Sequence, residues 1–339
     1  MTRTKTKRTI TVLAQGLQAL ARAAGDKKRY PALETLLCRG SHFGTQSQSP
    51  DHLRFKLFGI EPEGELPIAS LTRAADRGEN PGQHQYWLRL DPVTLMVDMA
   101  RVVMTSHGFA GLDEFERSEI EKVVRSVLHE QGIVLHCDHP ERWCIALDEP
   151  LNFSFTPLED ALGTDLAEVF PEHPDALHWR GIINEIEIAL HASSLNRRRR
   201  QKGQQAINSV WFWGGGFIPD VGAQGVFNTV YSDHPVTRGL AVINDCRLRK
   251  QLEIKQVNIN HDGQSILVDW TVGSRDPKQE LDSLEHFVQQ LLGKVREGSI
   301  ELVFYGGKSR GWRYGRRSGR RFWRFRQPLG KISFSSLPA

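Results

Sequence analysis

Seven residues in the second half of the chain have the types and spacing of a ligand site. They are Asn184, Glu185, Asn196, Arg199, Asn208, Gly214 and Gly216. Residues 208–213 have the pattern of a buried strand that runs into a triple glycine, and polar groups at the carboxyl end of a strand lie where α/β sheets bind ligands. Glycine amides can approach an anion, and a guanidinium pairs with phosphate or carboxylate. The pattern predicts a site for a phosphorylated or carboxylated metabolite.

A structural interpretation of the same segment stays open. Trp211 and Trp213 alternate along the strand and therefore share one face, as core residues do. The basic residues at 197–200 and 202 follow a predicted helix, where positive charge complements the helix dipole. The glycines are also not followed by the Lys-Ser or Lys-Thr that a P-loop requires.

A second group consists of side chains that could bind a metal. It comprises His129, His136, Cys137, His139 and Cys144. Imidazole and thiolate are zinc ligands, but structural zinc sites usually show paired spacing such as CxxC, which this group lacks. We therefore predict no metal and no cofactor. The four cysteines of the chain contain no CxxC pair, and a chain of this size needs no disulfides, so we expect them to be reduced.

The C-terminal region interleaves basic and aromatic residues. Residues 308–326 contain nine Lys or Arg, five aromatic residues and no acid. The favoured interpretation is a hairpin in which Trp312 and Tyr314 lie on one strand and Phe322 and Trp323 on the returning strand, with the arginines pointing to solvent. The alternative is contact with an anionic partner such as single-stranded nucleic acid, which such proteins bind through charge and ring stacking. That contact would use Arg316, Arg320, Arg321 and Arg324.

The overall composition is that of a globular protein. The 339 residues carry a net charge of +4, but residues 1–8 contribute +4 and residues 308–326 contribute +9, which leaves −9 for the rest. This distribution indicates a local anionic contact and not a uniformly basic nucleic-acid binder. No apolar run approaches the ~18 residues of a membrane span, and Gln15, Gln18 and Arg22 interrupt the only segment that resembles a signal peptide. We expect a cytoplasmic protein with no membrane contact.

Strand and helix patterns alternate along most of the chain. Residues 10–14 and 300–305 are predicted strands, and residues 280–296 form a predicted amphipathic helix. This alternation favours an α/β fold with a mainly parallel sheet, helices on both faces and a smaller inserted subdomain. We expect residues 1–80 and 176–305 to form the core, 81–175 the subdomain, and 306–339 the basic aromatic hairpin and tail.

The segment from Asn196 to Gly216 resembles a stretch of the archaeal-type, cofactor-independent phosphoglycerate mutases. The positions in register are Asn196, Arg199, Gly203, Asn208, Gly214 and Gly216. The resemblance implies an alkaline-phosphatase-like fold. Trp213 stands where that family has an arginine, and an indole cannot hold a phosphate bidentately.

The resemblance continues upstream, but the catalytic residues of that family are absent. The stretch from Asp51 through Gly59 to Pro62 keeps the spacing of the nucleophile segment, yet Pro50 replaces the serine that accepts the phosphoryl group. Gln15 replaces the metal-binding Asp after the first strand, and Gly306 follows the last strand where the family has Asp-His. We therefore predict no catalytic residue and no metal ligand at these positions.

The whole chain also resembles the uncharacterised proteobacterial RpfE-type regulatory proteins. This resemblance rests on residues 86–93, Asn184-Glu185-Ile186, residues 208–216 and Arg321-Phe-Trp-Arg324. It implies a regulatory role. The prediction is a non-catalytic regulatory or ligand-sensing pseudoenzyme, derived from a phosphoglycerate mutase scaffold, whose protein partners are unknown. The two alternatives are an active mutase or phosphatase with substituted site residues, and single-stranded nucleic-acid binding through the tail.

Overall fold

The protein forms two compact units. The structure is a computed structural model that describes residues 8–25, 28–45, 47–61, 64–98, 101–221, 226–256, 265–271, 276–307 and 310–334. The first unit comprises Met1–Glu61 with Val221–Ala339, and the second comprises Pro62–Asp220. The second unit is therefore inserted into the sequence of the first.

The first unit contains most of the alternating strands and helices. In chain order its elements are β1 (Arg8–Leu13), α1 (Leu17–Ala24), α2 (Pro31–Arg39), β2 (Ser41–Gly44), α3 (Pro50–Leu57), β8 (Thr229–Tyr231), α10 (Pro235–Ile243), β9 (Arg247–Arg249), β10 (Ser265–Asp269), α11 (Pro277–Glu297), β11 (Ile300–Tyr305) and β12 (Arg310–Tyr314), with short 3-10 helices at Gln251–Gln256, Ser318–Arg320 and Leu329–Lys331.

These strands form one mostly parallel sheet. Its order is β2-β12-β11-β1-β10-β8-β9, and only β12 and β2 run antiparallel to their neighbours. In the central strand, Ile10 lies between Ile266 and Leu302. These apolar side chains form a core with helices α1, α2 and α11, because each helix buries one apolar face against the sheet. The mainly parallel α/β fold predicted from the sequence is confirmed.

The second unit contains a smaller antiparallel sheet. Its elements are α4 (Ile68–Arg77), β3 (Tyr86–Asp98), β4 (Arg101–His107), α5 (Glu114–Glu130), β5 (Leu135–His139), β6 (Arg142–Leu147), α6 (Leu158–Ala161), α7 (Leu166–Val169), α8 (Ala176–Ala192), α9 (Ser194–Gln201) and β7 (Ser209–Gly216). The long strand β3 lies at its centre and pairs with β4, β6 and β7.

The observed boundaries of the units differ from those expected from the sequence. Residues 62–80 and 176–220, expected in the core, lie in the second unit. The reason is strand pairing, since β7 pairs with β3 along most of its length and helix α4 packs on both strands. Residues 306–334 belong to the first unit because β12 extends its sheet.

The expected C-terminal hairpin is wrong in its second half. Strand β12 pairs with β11 and β2, and Trp312 and Tyr314 are buried as expected. After β12 the chain forms the 3-10 helix Ser318–Arg320, and residues 321–328 contain no strand. Since β11 and β2 already occupy both edges of β12, no edge is left for a returning strand, and Phe322 and Trp323 are exposed. No helix in the described ranges is long and apolar enough to cross a membrane.

Candidate functional site

Polar residues lie at the carboxyl edge of the parallel sheet. Strands β1, β10 and β11 are neighbours that run in the same direction, so the residues that follow them lie at one edge. Leu13 is in register with Asp269 on one side and with Tyr305 on the other. Gln15 and Asp269 are therefore close to this edge, which is where open α/β sheets place their ligands.

A buried arginine holds the carboxylate at this edge. Arg54 on α3 is 4% exposed, and its Nε donates to Oδ2 of Asp269 over 3.0 Å while one terminal nitrogen donates to Oδ1 over 3.4 Å. Another nitrogen donates to Oδ1 of Asp51 over 3.0 Å. The hydroxyl of Thr237 also donates to Oδ2 of Asp269. Both oxygens of Asp269 are thus bound by groups of the chain itself.

The residues at this edge do not fit the metals of a phosphoryl-transfer site. A divalent ion beside phosphate needs carboxylate ligands, and Gln15 supplies only a neutral amide. Arg54 donates hydrogen bonds to both oxygens of Asp269 and to Oδ1 of Asp51, so it occupies positions at which these carboxylates would bind a cation. Across the described ranges, no three His, Cys, Asp or Glu side chains are grouped so that they could hold a metal ion.

A serine lies one position before the proline that replaces the nucleophile. Pro50 is the first residue of α3, and Ser49 is its N-cap, whose side chain accepts a hydrogen bond from the His52 amide over 3.2 Å. The Ser49 hydroxyl also lies 2.8 Å from Nδ1 of His52. The sequence prediction considered Pro50 alone and missed this hydroxyl–imidazole pair.

Two polar groups at the edge have no hydrogen-bond partner in the described part of the chain. The Nε2 of Gln15 and the Oγ1 of Thr271 are buried and make no hydrogen bond among the described residues. These residues follow the paired strands β1 and β10 at equivalent distances from the register pair Leu13 and Asp269. Buried donors without partners are costly, so this edge can donate hydrogen bonds to a small polar ligand or water.

Three residues of the predicted ligand site make structural contacts. Asn196 is 3% exposed and bonds to the carbonyls of Leu190 and Ile207 and to the amide of Ile207, at 3.0, 2.7 and 3.0 Å. Arg199 donates to Glu116 over 3.0 Å and to a backbone carbonyl. Asn208 bonds to both backbone groups of Leu95. These side chains join neighbouring segments of the second unit.

The glycines of the predicted site serve close packing. Strand β7 belongs to an antiparallel sheet, so the ligand rule for parallel strand ends does not apply to it. A Cβ on Gly214, whose φ is +65°, would lie 2.9 Å from the Cβ of Ile68, and a Cβ on Gly216 would lie 2.6 Å from that of Pro67. The carboxylate of Glu65 accepts a hydrogen bond from the Gly215 amide over 3.1 Å. A side chain of the protein thus occupies the expected anion position.

The last two residues of the predicted ligand site are exposed on helix α8. They are Asn184 and Glu185, and Glu185 accepts a hydrogen bond from Gln131 over 3.3 Å. The structure therefore brings Asn196, Arg199 and Asn208 into one part of the second unit through contacts with backbone, and leaves Asn184 and Glu185 on the helix surface.

The histidines and cysteines near residue 140 lie mostly on the β5–β6 hairpin. His136 is opposite Cys144 in this hairpin, whereas His129 is exposed near the end of α5. Burial raises the pKa of Cys137 to about 12 and that of Cys144 to about 11, and it lowers the pKa of His136. The thiols are therefore protonated at neutral pH and are poor nucleophiles. All four cysteines are free.

The four arginines expected to contact an anionic partner divide into two pairs. Arg321 donates to the Arg39 carbonyl over 3.1 Å and Arg324 donates to the Gly40 carbonyl over 3.2 Å. Both side chains therefore bind residues 321–324 to the junction between α2 and β2. Arg316 and Arg320 are exposed and line a surface cavity.

The Arg54 cluster, which consists of Arg54, Asp51, Asp269 and Thr237, was not predicted from the sequence. Asp51 and Arg54 are three residues apart on a helix, which is a visible signal for an ion pair. Asp269 is 215 residues away from Arg54, and its role depends on the sheet that brings β10 next to β1. No local pattern could have connected these residues.

Comparisons with known proteins identify similar chains. No family model matches this sequence. A probable 2,3-bisphosphoglycerate-independent phosphoglycerate mutase of Geobacter sulfurreducens is 22% identical over 197 residues, which cover 57% of this chain and 49% of that protein. The 2,3-bisphosphoglycerate-independent phosphoglycerate mutase of Methanosarcina acetivorans is 31% identical over 204 residues, covering 56% and 49%. The chain thus spans about half the length of the curated relatives it matches.

Solved structures show the same fold. The cofactor-independent phosphoglycerate mutase of Thermoplasma acidophilum superposes with a TM-score of 0.51 at 15% identity, covering 96% of this chain and 95% of that one. The PH0037 protein of Pyrococcus horikoshii superposes with a TM-score of 0.56 at 13% identity, covering 91% and 88%. This chain is therefore similar in sequence to phosphoglycerate mutases over about half of their length, and its fold is similar to that of the cofactor-independent enzyme of Thermoplasma acidophilum.

Proposed function

We propose that this chain is a non-catalytic regulatory or ligand-sensing protein on a phosphoglycerate mutase-like scaffold, of the RpfE type and located in the cytoplasm. The observation that carries the proposal is the position of Arg54. Its guanidinium pairs with Asp51 and Asp269 at the sheet edge, where phosphoryl transfer would instead require cations held by carboxylates.

Phosphoryl transfer has two requirements that the residues at this edge do not meet. A nucleophile must be activated, and the charge on the phosphoryl oxygens must be stabilised by ions or by free cationic groups. Pro50 has no hydroxyl, and the donors of Arg54 are directed to its own carboxylates. Because the Arg54 guanidinium already pairs with Asp51 and Asp269, this fold is suited to binding a ligand and not to turning over a substrate.

The proposed ligand is a phosphorylated or carboxylated metabolite at the sheet edge. The groups available to it are the unpartnered donors of Gln15 and Thr271. Arg54 carries one positive charge against the two negative charges of Asp51 and Asp269, so this cluster is net negative. The cluster repels a doubly charged phosphate more than a singly charged carboxylate. We therefore expect carboxylated metabolites to bind more tightly than phosphorylated ones.

A thermal-shift screen tests the ligand. The purified chain is mixed with phosphorylated and carboxylated metabolites, each with and without Mn²⁺, and the same set is measured with Gln15→Ala. Stabilisation by a metabolite alone, reduced in Gln15→Ala, is the expected result, because a ligand that binds only the folded state raises its stability. The matched control is Gln18→Ala, which lies in α1 and not at the strand end. Stabilisation that requires Mn²⁺ would contradict a non-catalytic site.

The second candidate is an active phosphatase or mutase with substituted residues. The observation that favours it is the 2.8 Å contact between Ser49 and His52. In that reaction Nδ1 of His52 takes the Ser49 proton, the Ser49 oxygen attacks phosphorus, and the bond to the leaving alkoxide breaks as the imidazolium returns the proton to it. Water then hydrolyses the phosphoserine and releases phosphate. Release of phosphate from phosphorylated metabolites, abolished by Ser49→Ala and kept by Ser47→Ala, would establish this activity in place of the non-catalytic role.

A further inference from the structure

The segment from Arg320 to Arg326, called the aromatic–arginine segment below, exposes three large aromatic side chains. Phe322, Trp323 and Phe325 are 74%, 61% and 84% exposed. The aromatic residues of the adjacent strand behave differently, since Trp312 and Tyr314 are 1% and 4% exposed. Exposed rings that lie next to one another are uncommon on a protein surface and usually mark an interaction site.

The segment is held in place at both ends. Arg321 and Arg324 donate to the backbone carbonyls of Arg39 and Gly40, and Arg321 also donates to Ser41 over 2.9 Å. Farther along the chain, Leu329 and Phe334 are buried in the core. The rings are therefore presented by an anchored backbone, which lowers the entropic cost of binding a partner.

A cavity rich in arginine adjoins the segment. It has a volume of about 580 Å³ and shares Arg320 with the segment. Its charged and hydroxyl lining consists mainly of Arg313, Arg316, Arg317, Arg320, Ser41 and Glu301. Four guanidinium groups against one carboxylate make this surface strongly positive, and guanidinium groups bind phosphate in a forked geometry.

We propose that the aromatic–arginine segment and this cavity bind single-stranded nucleic acid. Exposed rings stack on unpaired bases, and the arginines that line the cavity bind the phosphates. The exposed rings adjoin the arginines of the cavity, as bases adjoin phosphates in a strand. A duplex fits less well because its bases are already stacked on each other.

An anionic membrane is the other surface that such side chains could contact, and the geometry favours nucleic acid. Residues 321–328 form no helix, so the segment does not present the amphipathic helix typical of proteins that lie in a bilayer interface. The cavity is concave and lined by charge, which suits discrete phosphate groups. This proposal does not depend on the ligand proposed for the sheet edge.

Fluorescence anisotropy with the full chain tests the proposal. The probes are labelled oligodeoxythymidine and oligouridine of about 12 nucleotides, within the site sizes of ~4–16 known for such proteins. Trp323→Ala and Phe325→Ala should each weaken binding about fivefold or more, because one stacking contact is lost. Arg317→Glu combined with Arg320→Glu should weaken binding further and reduce its dependence on salt.

Matched controls separate the proposed contacts from general effects of charge and ring removal. Lys294→Glu, compared with Arg317→Glu and with Arg320→Glu made singly, changes charge on the exposed face of α11. Phe115→Ala removes a partly exposed ring on α5. Both controls should bind the probes like the wild type. Retention of binding in Trp323→Ala and Phe325→Ala would overturn the proposal, as would absence of binding by the wild type at low salt. Co-sedimentation with phosphatidylserine vesicles that depends on these rings, without oligonucleotide binding, would identify a membrane surface instead.

Discussion

At the scale of single residues, Arg54 defines the chemistry of the sheet edge. An ion pair with 5% and 0% of its side chains exposed stabilises a fold only if both charges keep their partners, because a lone buried charge is very unfavourable. Asp269 also accepts from Thr237, so the cluster satisfies both carboxylate oxygens. The arginine thus performs the charge compensation that a bound cation would otherwise provide.

Removing this guanidinium should destabilise the protein strongly. We expect Arg54→Ala to lower the free energy of unfolding by about 3–5 kcal/mol, since Asp269 would remain buried without its cation. Urea denaturation measures the loss. Lys294→Ala is the control, because its ion pair with Glu297 is exposed and should change stability by less than about 1 kcal/mol.

The double variant Arg54→Ala/Asp269→Asn tests whether the effect comes from the pair. We expect it to be less destabilised than the sum of the single variants by about 0.5–3 kcal/mol, as interacting side chains show. Additive losses would mean that Arg54 acts through packing alone, and the electrostatic account of this edge would then fail.

Asn196 shows how a residue typical of a ligand site can be structural. Its side chain bonds to the carbonyls of Leu190 and Ile207 and to the amide of Ile207, and the Leu190 carbonyl also accepts from Ser193. We expect Asn196→Ala to lower the free energy of unfolding by about 1–3 kcal/mol, the cost of buried groups left without hydrogen bonds. Urea denaturation of Asn196→Ala and of the exposed Asn184→Ala measures the difference. Unchanged stability with a lost response to metabolites would instead assign Asn196 to ligand binding.

At the scale of secondary-structure elements, strand β7 and the residues before helix α4 are joined by Glu65. Burial raises the pKa of this carboxyl, although hydrogen bonds from the amides of Gly215 and Gly214 oppose the rise. A carboxyl whose pKa is higher in the folded state binds its proton more tightly there. The folded state therefore loses stability as the pH rises from the ordinary value of 4.5 through the raised value.

The variant Glu65→Gln should remove this dependence. We expect the free energy of unfolding of the wild type to fall relative to that of Glu65→Gln as the pH increases above 4.5. Urea denaturation over a pH series measures both curves, with Glu172→Gln, an exposed glutamate of the same unit, as the control. A constant difference between wild type and Glu65→Gln across the series would show that Glu65 does not titrate as described.

The sequence predicted elements better than it predicted their neighbours. Strands β1 and β11 and helix α11 were found because their apolar residues repeat with the period of a strand or helix. The position of β7 was also correct, but its partner was not evident, since pairing with β3 links residues more than 110 positions apart. The glycine cluster was consequently assigned to the carboxyl end of a parallel strand that the fold does not contain.

The C-terminal region illustrates the same limit. Burial of Trp312 and Tyr314 follows from their alternation on one strand, whereas exposure of Phe322 and Trp323 depends on which strands already occupy the edges of β12. Similarly, neither Pro50 nor Gln15 reveals that Arg54 pairs with Asp269. The residue types at 15 and 50 predicted a loss of the usual phosphoryl chemistry, but the contact between Arg54 and Asp269 became evident only from the fold.

At the scale of the whole molecule, the chain combines a mutase-like fold with a cationic group that is bound internally. It resembles phosphoglycerate mutases over about half the length of its curated relatives, and its fold matches solved structures of that type. The proposed role is therefore binding without turnover. This role and the nucleic-acid surface are independent, because one depends on the sheet edge and the other on the segment after β12.

The measurement that tests the central claim most directly is turnover by the purified full chain. Conversion of 3-phosphoglycerate and release of phosphate are followed with added Mn²⁺ and again with a chelator, beside Ser49→Ala and Asp51→Ala. We predict rates at the level of buffer in every case, since the carboxylates are held by Arg54 and the nucleophile position is Pro50. Turnover that Mn²⁺ stimulates and that either variant abolishes would contradict the account.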